Sequence, residues 1–152
     1  MKTITIKLKD NEDKEHTYQI TPFLCREGLQ IMGRLSSLLK DKIPDELSMD
    51  CSDMKLLSIL IEALANSASE LFSDTGIKLI QDLLQGATRD NVEISKNENF
   101  DIAYCGNYGE LFAVLANIIQ TNFGGAVKDF FLLLQKKLGK NQKLKTILKS
   151  IK

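Results

Sequence analysis

The hydropathy period changes from two to about 3.6 at Thr21-Pro22, and that change sets the fold class. Before it, Ile4, Ile6 and Leu8 alternate with polar residues, and His16, Tyr18 and Ile20 alternate with Glu15, Thr17 and Gln19. This is the pattern of half-buried strands. Asp10-Asn11-Glu12-Asp13 separates the two runs, so residues 3–20 read as a β-hairpin. A two-stranded hairpin is marginal alone, so its apolar side must pack on the remainder of the chain. Beyond Thr21 the pattern is helical. Thr21 and Pro22 suit the N-cap and first position of a helix, and Phe23, Leu24, Ile31, Leu35, Leu38 and Leu39 fall at helical spacing.

That first helix is expected to end near Lys40, before Pro44. A second, capped by Asp50 or Ser52, turns Met54, Leu57, Ile61 and Leu64 inward and weakens at Asn66-Ser67. A third starts at Ser73, Asp74 or Thr75 and carries Ile77, Ile80, Leu83 and Leu84, with Gly86 at the left-handed C-terminal position. Residues 87–103 lose helical period; Val92 and Ile94 flank Glu93 after Asp90-Asn91, which points to a short strand or hairpin near 88–95. Asn107 and Glu110 then have capping-box spacing, ahead of a stripe of Tyr108, Leu111, Phe112, Leu115, Ile118 and Ile119. Glu110, Asn117, Gln120 and Thr121 lie opposite, as an amphipathic helix requires. Asn122-Phe123-Gly124-Gly125 is expected to stop that helix, and Val127, Phe130, Phe131, Leu134 and Leu138 mark another, interrupted at Gly139. The expected fold is α+β and predominantly α: an N-terminal β-hairpin followed by about five helices. Residues 1–139 read as a single domain and residues 140–152 as a basic amphipathic tail.

With 152 residues the chain is long enough to hold a core without disulfides or metals. No apolar run approaches the roughly 20 residues that span a bilayer. The N-terminus, MKTITIKLKDNEDKE, has neither the apolar core nor the cleavage site of a secretory signal. Cys25, Cys51 and Cys105 are too widely spaced for a metal site and odd in number, so they read as reduced, mostly buried small hydrophobes. His16, the one histidine, has no activating motif beside it and reads as a half-exposed strand residue. Asp10, Glu12, Asp13 and Glu15 lack the EF-hand pattern and read as a solvated turn. Gly106-Asn107-Tyr108-Gly109 lacks both the third glycine of a dinucleotide fingerprint and the Gly-Lys-Ser/Thr of a P-loop, so it reads as the start of a helix. No catalytic constellation, metal site or cofactor site is expected.

The net charge is zero, but it is unevenly placed. Residues 136–152 carry seven lysines and no acid, leaving thirteen basic against twenty acidic groups in the rest. Leu144, Ile147, Leu148 and Ile151 repeat at i, i+3, i+4 and i+7 among those lysines. Three readings of this tail compete: a solvated terminal helix, a helix that docks on a partner, or a contact with nucleic acid or an anionic membrane. It has no aromatic residue to stack on bases, which weakens the single-strand version. The stretch from Phe100 to Phe131 holds seven of the ten aromatics. It is either core or a surface that receives apolar segments of another protein, through Tyr104, Tyr108, Phe112, Phe123, Phe130 and Phe131.

In this stretch the chain resembles the tail assembly chaperones of long-tailed bacteriophages and prophages. The resemblance is carried by Asn107-Tyr108-Gly109-Glu110-Leu111, by Asn122-Phe123-Gly124, and by Phe130-Phe131 after them. The layout agrees as well: a hairpin, a Thr-Pro-Phe start to the first helix, and Leu-Leu-Gln-Gly before the Val92–Ile94 segment. The Gly124-Gly125 pair departs from the commoner single glycine before an acidic residue, and the tail after Gly139 matches no part of the pattern. The resemblance implies a protein without catalysis, made in the bacterial host cytoplasm and absent from the mature virion. Its implied partners are the tape-measure protein, whose apolar helices it keeps soluble, and the tail tube protein; a second copy of the chain is a further candidate. The rival readings are a small structural or adaptor component of the tail, and a nucleic-acid-binding regulator using the basic tail.

Overall fold

The structure, a computed structural model, describes residues 2–39, 42 and 53–124. Strands β1 (Ile4–Lys9) and β2 (Glu15–Ile20) form the expected antiparallel hairpin, from Ile4 opposite Ile20 to Lys9 opposite Glu15. Asp10 shapes its turn: one carboxylate oxygen accepts from the amides of Glu12 and Lys14, each at 2.9 Å. β2 pairs on its other side with β3 (Ala87–Arg89), placing Tyr18 opposite Arg89. β3 turns through Asp90 and Asn91, at φ 51° and 67°, into β4 (Val92–Glu93). Two successive positive φ values give a turn whose twist matches that of the strands, and Asp and Asn are among the residues that tolerate them. The sheet is antiparallel throughout, in the order β1-β2-β3-β4.

Six helices accompany the sheet among the described residues: α1 (Cys25–Leu39), α2 (Asp53–Asn66), α3 (Ala68–Leu71), α4 (Asp74–Leu83), α5 (Asn97–Tyr104) and α6 (Tyr108–Gly124). Ile31, Leu35 and Leu39 of α1, Leu60 and Leu64 of α2, Ile80 and Leu83 of α4, and Leu115, Ile118 and Ile119 of α6 close over Tyr18 and Ile20 of β2. Each such fully buried side chain contributes about 1.5–3 kcal/mol. The fold is thus α+β and mainly α. Among the described residues no single helix is long and apolar enough to cross a membrane.

Several local expectations are corrected. The first helix begins at Cys25, not at Pro22, because the preceding backbone is used elsewhere. The Thr21 amide donates to the Gly86 carbonyl at 2.8 Å and the Phe23 amide to Asn122 Oδ1 at 2.7 Å. Gly86 is therefore required by a close approach and not by a left-handed backbone: a Cβ there would lie 2.6 Å from the Thr21 oxygen. Ile77 faces outward, 37% exposed, and Leu79 takes its place in the core. Residues 97–104 form α5, which periodicity does not reveal. Asn122 does not stop α6, since its side chain bonds the Ile118 carbonyl within the helix and the Phe23 amide outside it. Cys25 and Cys105 are exposed, because both sit at helix ends on the surface. The loop around Pro44, the Asp50 or Ser52 cap, Cys51, the Met54 and Leu57 side chains, the stop at Gly125, the helix around Val127 and the 140–152 tail lie outside the described residues.

His16 is buried rather than half-exposed, at 5% exposure, on the inner side of β2. Its Nδ1 lies 2.6 Å from an Asp90 oxygen and its Nε2 lies 2.8 Å from an Asp10 oxygen. With a carboxylate at each ring nitrogen, both nitrogens donate and the ring is an imidazolium. Burial works against that charge, but Asp90 and Asp10 outweigh it; Arg89 opposes and Glu110 assists, and the His16 pKa rises above its ordinary value. Asp10 and Asp90 are held below the usual carboxylate range, in each case chiefly by the hydrogen bond from His16. The imidazolium thus pins the β1–β2 turn to the β3–β4 turn.

The stabilisation from His16 is complete below the ordinary histidine pKa near 6.5 and is lost as pH rises through the raised folded value. That from Asp10 and Asp90 is complete above about 3.9 and is lost as pH falls through their lowered values. Urea titrations should therefore place maximal stability from this clamp between roughly pH 4 and 6.5. His16→Gln should lower stability by about 1–3 kcal/mol at pH 6 and flatten the decline above it; an unchanged decline would refute the imidazolium assignment. Glycine substitutions check the helix packing. A Cβ at Gly76 would meet the Glu70 and Leu71 carbonyl oxygens at 2.2 and 2.3 Å, whereas one at Gly109 would meet nothing within 4 Å. Gly76→Ala should cost several kcal/mol, and Gly109→Ala should add about 0.5–1 kcal/mol, both read from denaturation midpoints.

Candidate functional site

The start of α6 is fixed by a buried polar cluster. Glu110, 4% exposed, accepts at Oε1 from the Tyr18 hydroxyl at 2.5 Å and from Arg89 Nε at 2.9 Å. Its Oε2 accepts from Arg89 Nη2 at 3.1 Å and from Asn107 Nδ2. The Tyr104 hydroxyl lies 3.1 Å from that of Tyr18 and completes the chain. Burial alone would raise the Glu110 pKa, but the bonds from Arg89, Tyr18 and Asn107 prevail and hold it below the usual range. Burial pushes both phenols up, so Tyr18 and Tyr104 serve as neutral donors.

The capping box expected from Asn107 and Glu110 is therefore not formed. Asn107 turns its Oδ1 to the Asn11 amide at 3.1 Å and its backbone amide to the Tyr104 carbonyl at 3.0 Å. Nor does Glu110 belong to the polar face of α6; the Arg89 guanidinium draws it inward. Among the described residues no group of three or more His, Cys, Asp or Glu side chains is placed to hold a metal ion.

Residues 107, 110 and 111 point inward, so 108 and 112 are carried to the outer side of the same turns. Tyr108 is 57% exposed and Phe112 half-buried. Phe72, just past the end of α3 and 50% exposed, meets both: its ring centroid is 6.3 Å from Tyr108 and 6.4 Å from Phe112, nearly parallel to the latter at 24°. Phe72 is held there by its neighbours. Leu71 is fully buried, and the hydroxyl of Ser67, the residue before α3, ties it to the end of α2 by donating to the Ala63 carbonyl at 2.8 Å. Beside this trio a groove of about 290 Å³ runs between α5 and α6, lined by Phe100, Asp101, Tyr104, Cys105, Tyr108 and Leu111. A larger depression of about 610 Å³ between α1 and α4 has no aromatic side chain among the described residues that line it.

Six aromatics are expected to meet a partner; of the four that lie among the described residues, only Tyr108 and Phe112 are brought together at the surface. Tyr104 is 2% exposed in the polar cluster, with only part of its ring on the groove wall. Phe123 is buried against Phe23, at 6.4 Å between centroids. Phe130 and Phe131 lie outside the described residues. Phe72 is not among those six, although the sequence carries a signal for it: beside Leu71 it is the one aromatic in the mostly polar SASELFSDT stretch.

Replacing Glu110 with Ala should leave Arg89 buried without its partner and cost about 3–5 kcal/mol. Tyr18→Phe, which removes one donor, should cost about 1–2 kcal/mol. A double-mutant cycle between Glu110 and Arg89 should show coupling of at least about 1 kcal/mol. Additive effects would mean that the cluster does not hold the sheet to α6.

The sequence model of the family described as "Phage tail assembly chaperone protein, TAC" matches residues 14–137. No curated protein and no solved structure matches the chain. The matched stretch takes in β2, the buried cluster and the three rings of the exposed face. Covering about four-fifths of the sequence, it shows that this chain belongs to the phage tail assembly chaperone family.

Proposed function

We propose that the chain acts without catalysis, binding the tape-measure protein through the Phe72–Tyr108–Phe112 face and delivering it to the growing tail tube. The observation that carries this reading is the exposed aromatic trio itself, joined from two chain segments by ring contacts of 6.3 and 6.4 Å. A tape measure before assembly is a long amphipathic helix with an apolar stripe facing water. Covering such a stripe calls for apolar rings on a preformed surface, and a helix in a groove is a recurrent solution. Half-exposed rings leave area for a client to bury, while the modest size of the face keeps binding reversible. The setting is the host cytoplasm, and the protein is absent from the finished particle.

Co-expression with the largest tail protein encoded by the same genome should keep that partner soluble and yield a complex on size exclusion. Phe72→Ser and Tyr108→Ser should each weaken the complex at least tenfold while circular dichroism stays native, because both rings are half-exposed and their loss leaves the core intact. Folded variants that bind as tightly as the parent would place the client elsewhere. Stoichiometric protein in purified particles, measured by mass spectrometry, would overturn the chaperone reading in favour of a structural component.

A further inference from the structure

The two segments that supply the aromatic face are acidic and contain no cation. Residues 66–77 and 97–124 hold Glu70, Asp74, Glu98, Asp101 and Glu110, and no Lys, Arg or His. Glu110 is committed to Arg89. Lys42 acts on Glu70 from outside the two segments. Asp74, Glu98 and Asp101 are exposed and make no ion pair among the described residues. An occupant matched to this surface has an apolar helical stripe flanked by lysines.

The chain carries such a segment. Leu144, Ile147, Leu148 and Ile151 recur at i, i+3, i+4 and i+7, beside Lys143, Lys145, Lys149 and Lys152, with no acidic residue after Lys136. This segment lies past the family match, which ends at residue 137. It is also long enough to return. From Gly124 back to Tyr108 is about 24 Å along α6, and the fifteen residues 125–139 reach about 28 Å with the expected helix over 127–138 and up to about 50 Å fully extended.

We propose that residues 140–152 dock as an amphipathic helix on the Phe72–Tyr108–Phe112 face of their own chain and stand in for a client until one displaces them. The displacement rests on the reading of that face as the client site; the docking does not. Attachment in cis gives an effective concentration in the millimolar range, so a short segment that binds from solution only at comparable peptide concentrations still fills the face much of the time. A client must then compete, and its apparent affinity falls by the fraction of faces left open. The five lysines of residues 140–152 make the contact sensitive to salt, because screening shortens from about 10 Å at 0.1 M to about 3 Å at 1 M.

Cys105 reports on this contact, since its exposed thiol lines the groove beside Tyr108, while exposed Cys25 at the start of α1 serves as an internal reference. The full-length protein is alkylated with iodoacetamide and the rate at each thiol followed by peptide mass spectrometry. In a variant with Leu144, Ile147 and Leu148 changed to Ser, the Cys105 rate should rise roughly fivefold or more with Cys25 unchanged. Lys143→Glu, Lys145→Glu and Lys149→Glu together, or 1 M NaCl on the parent, should do the same. A synthetic peptide of residues 140–152 added to the first variant should restore protection, and should fail to do so when Phe72→Ser is also present. Equal Cys105 rates in parent and tail variants would overturn the proposal. So would protection that grows with protein concentration, which would assign the face to a second copy. Should the tail protect Cys105 without altering affinity for the tail protein, docking stands and the client site lies elsewhere.

Discussion

A carboxylate cannot remain charged in an apolar interior unless nearly all of its acceptor capacity is used. Glu110 meets that condition by gathering donors from β2, β3 and the turn before α6. Those donors cannot all reach it unless α6 takes one rotation about its axis and one distance from the sheet. The same rotation decides what the helix shows to water. With Asn107, Glu110 and Leu111 committed inward, Tyr108 and Phe112 stand outside, where Phe72 meets them. The exposed aromatic face is thus a consequence of polar bonding in the core. His16 adds a second constraint by holding the two turns at the neighbouring edge together through Asp10 and Asp90.

This arrangement suits a protein that handles other proteins. Exposed rings on a soft scaffold invite aggregation, since a mobile apolar patch finds many partners. Here α3 is braced by the packing of Gly76 against backbone and by the Ser67 bond, and α6 by an ion pair in the core. The patch keeps one shape, and in the proposed role that favours a partner whose stripe fits it over indiscriminate adhesion. Its acidic surround adds a charge criterion to the shape criterion.

Much of the layout was legible in the sequence because period and punctuation are local. Alternation at Ile4–Leu8 and His16–Ile20 marked the hairpin, Ser73 marked the start of α4, and Asp90-Asn91 marked the second turn. The misses share a cause, namely contacts distant in sequence. Thr21 and Pro22 have the chemistry of a helix start, but the amides of Thr21 and Phe23 are claimed by Gly86 and Asn122. Asn107 and Glu110 have capping-box spacing, but Arg89 and Tyr18 prevail over the local bond. His16 reads as half-exposed because the two carboxylates that bury it arrive from separate turns. For the exposed face, the sequence names Tyr108 and Phe112, which the fold places together at the surface. Tyr104 and Phe123 could not be told from core, and Phe72 becomes informative only when the fold sets it beside α6.

The spatial neighbours that close the sheet are far apart along the chain: Tyr18 and Glu110 are separated by 92 positions and His16 and Asp90 by 74. At synthesis rates of about 5–20 residues per second, the hairpin leaves the ribosome roughly 5–20 s before the residue that completes its inner side. Over that interval α1, α2 and α4 can already cover Ile20, but the Tyr18 hydroxyl has no Glu110 to accept its hydrogen bond, and for most of it His16 lacks Asp90. Folding of this chain is therefore timed by its C-terminal half, and the finished aromatic surface comes into being only when the last long-range bonds close. Nascent chains on one message thus present no finished aromatic face to each other until Phe112 of each has left the ribosome.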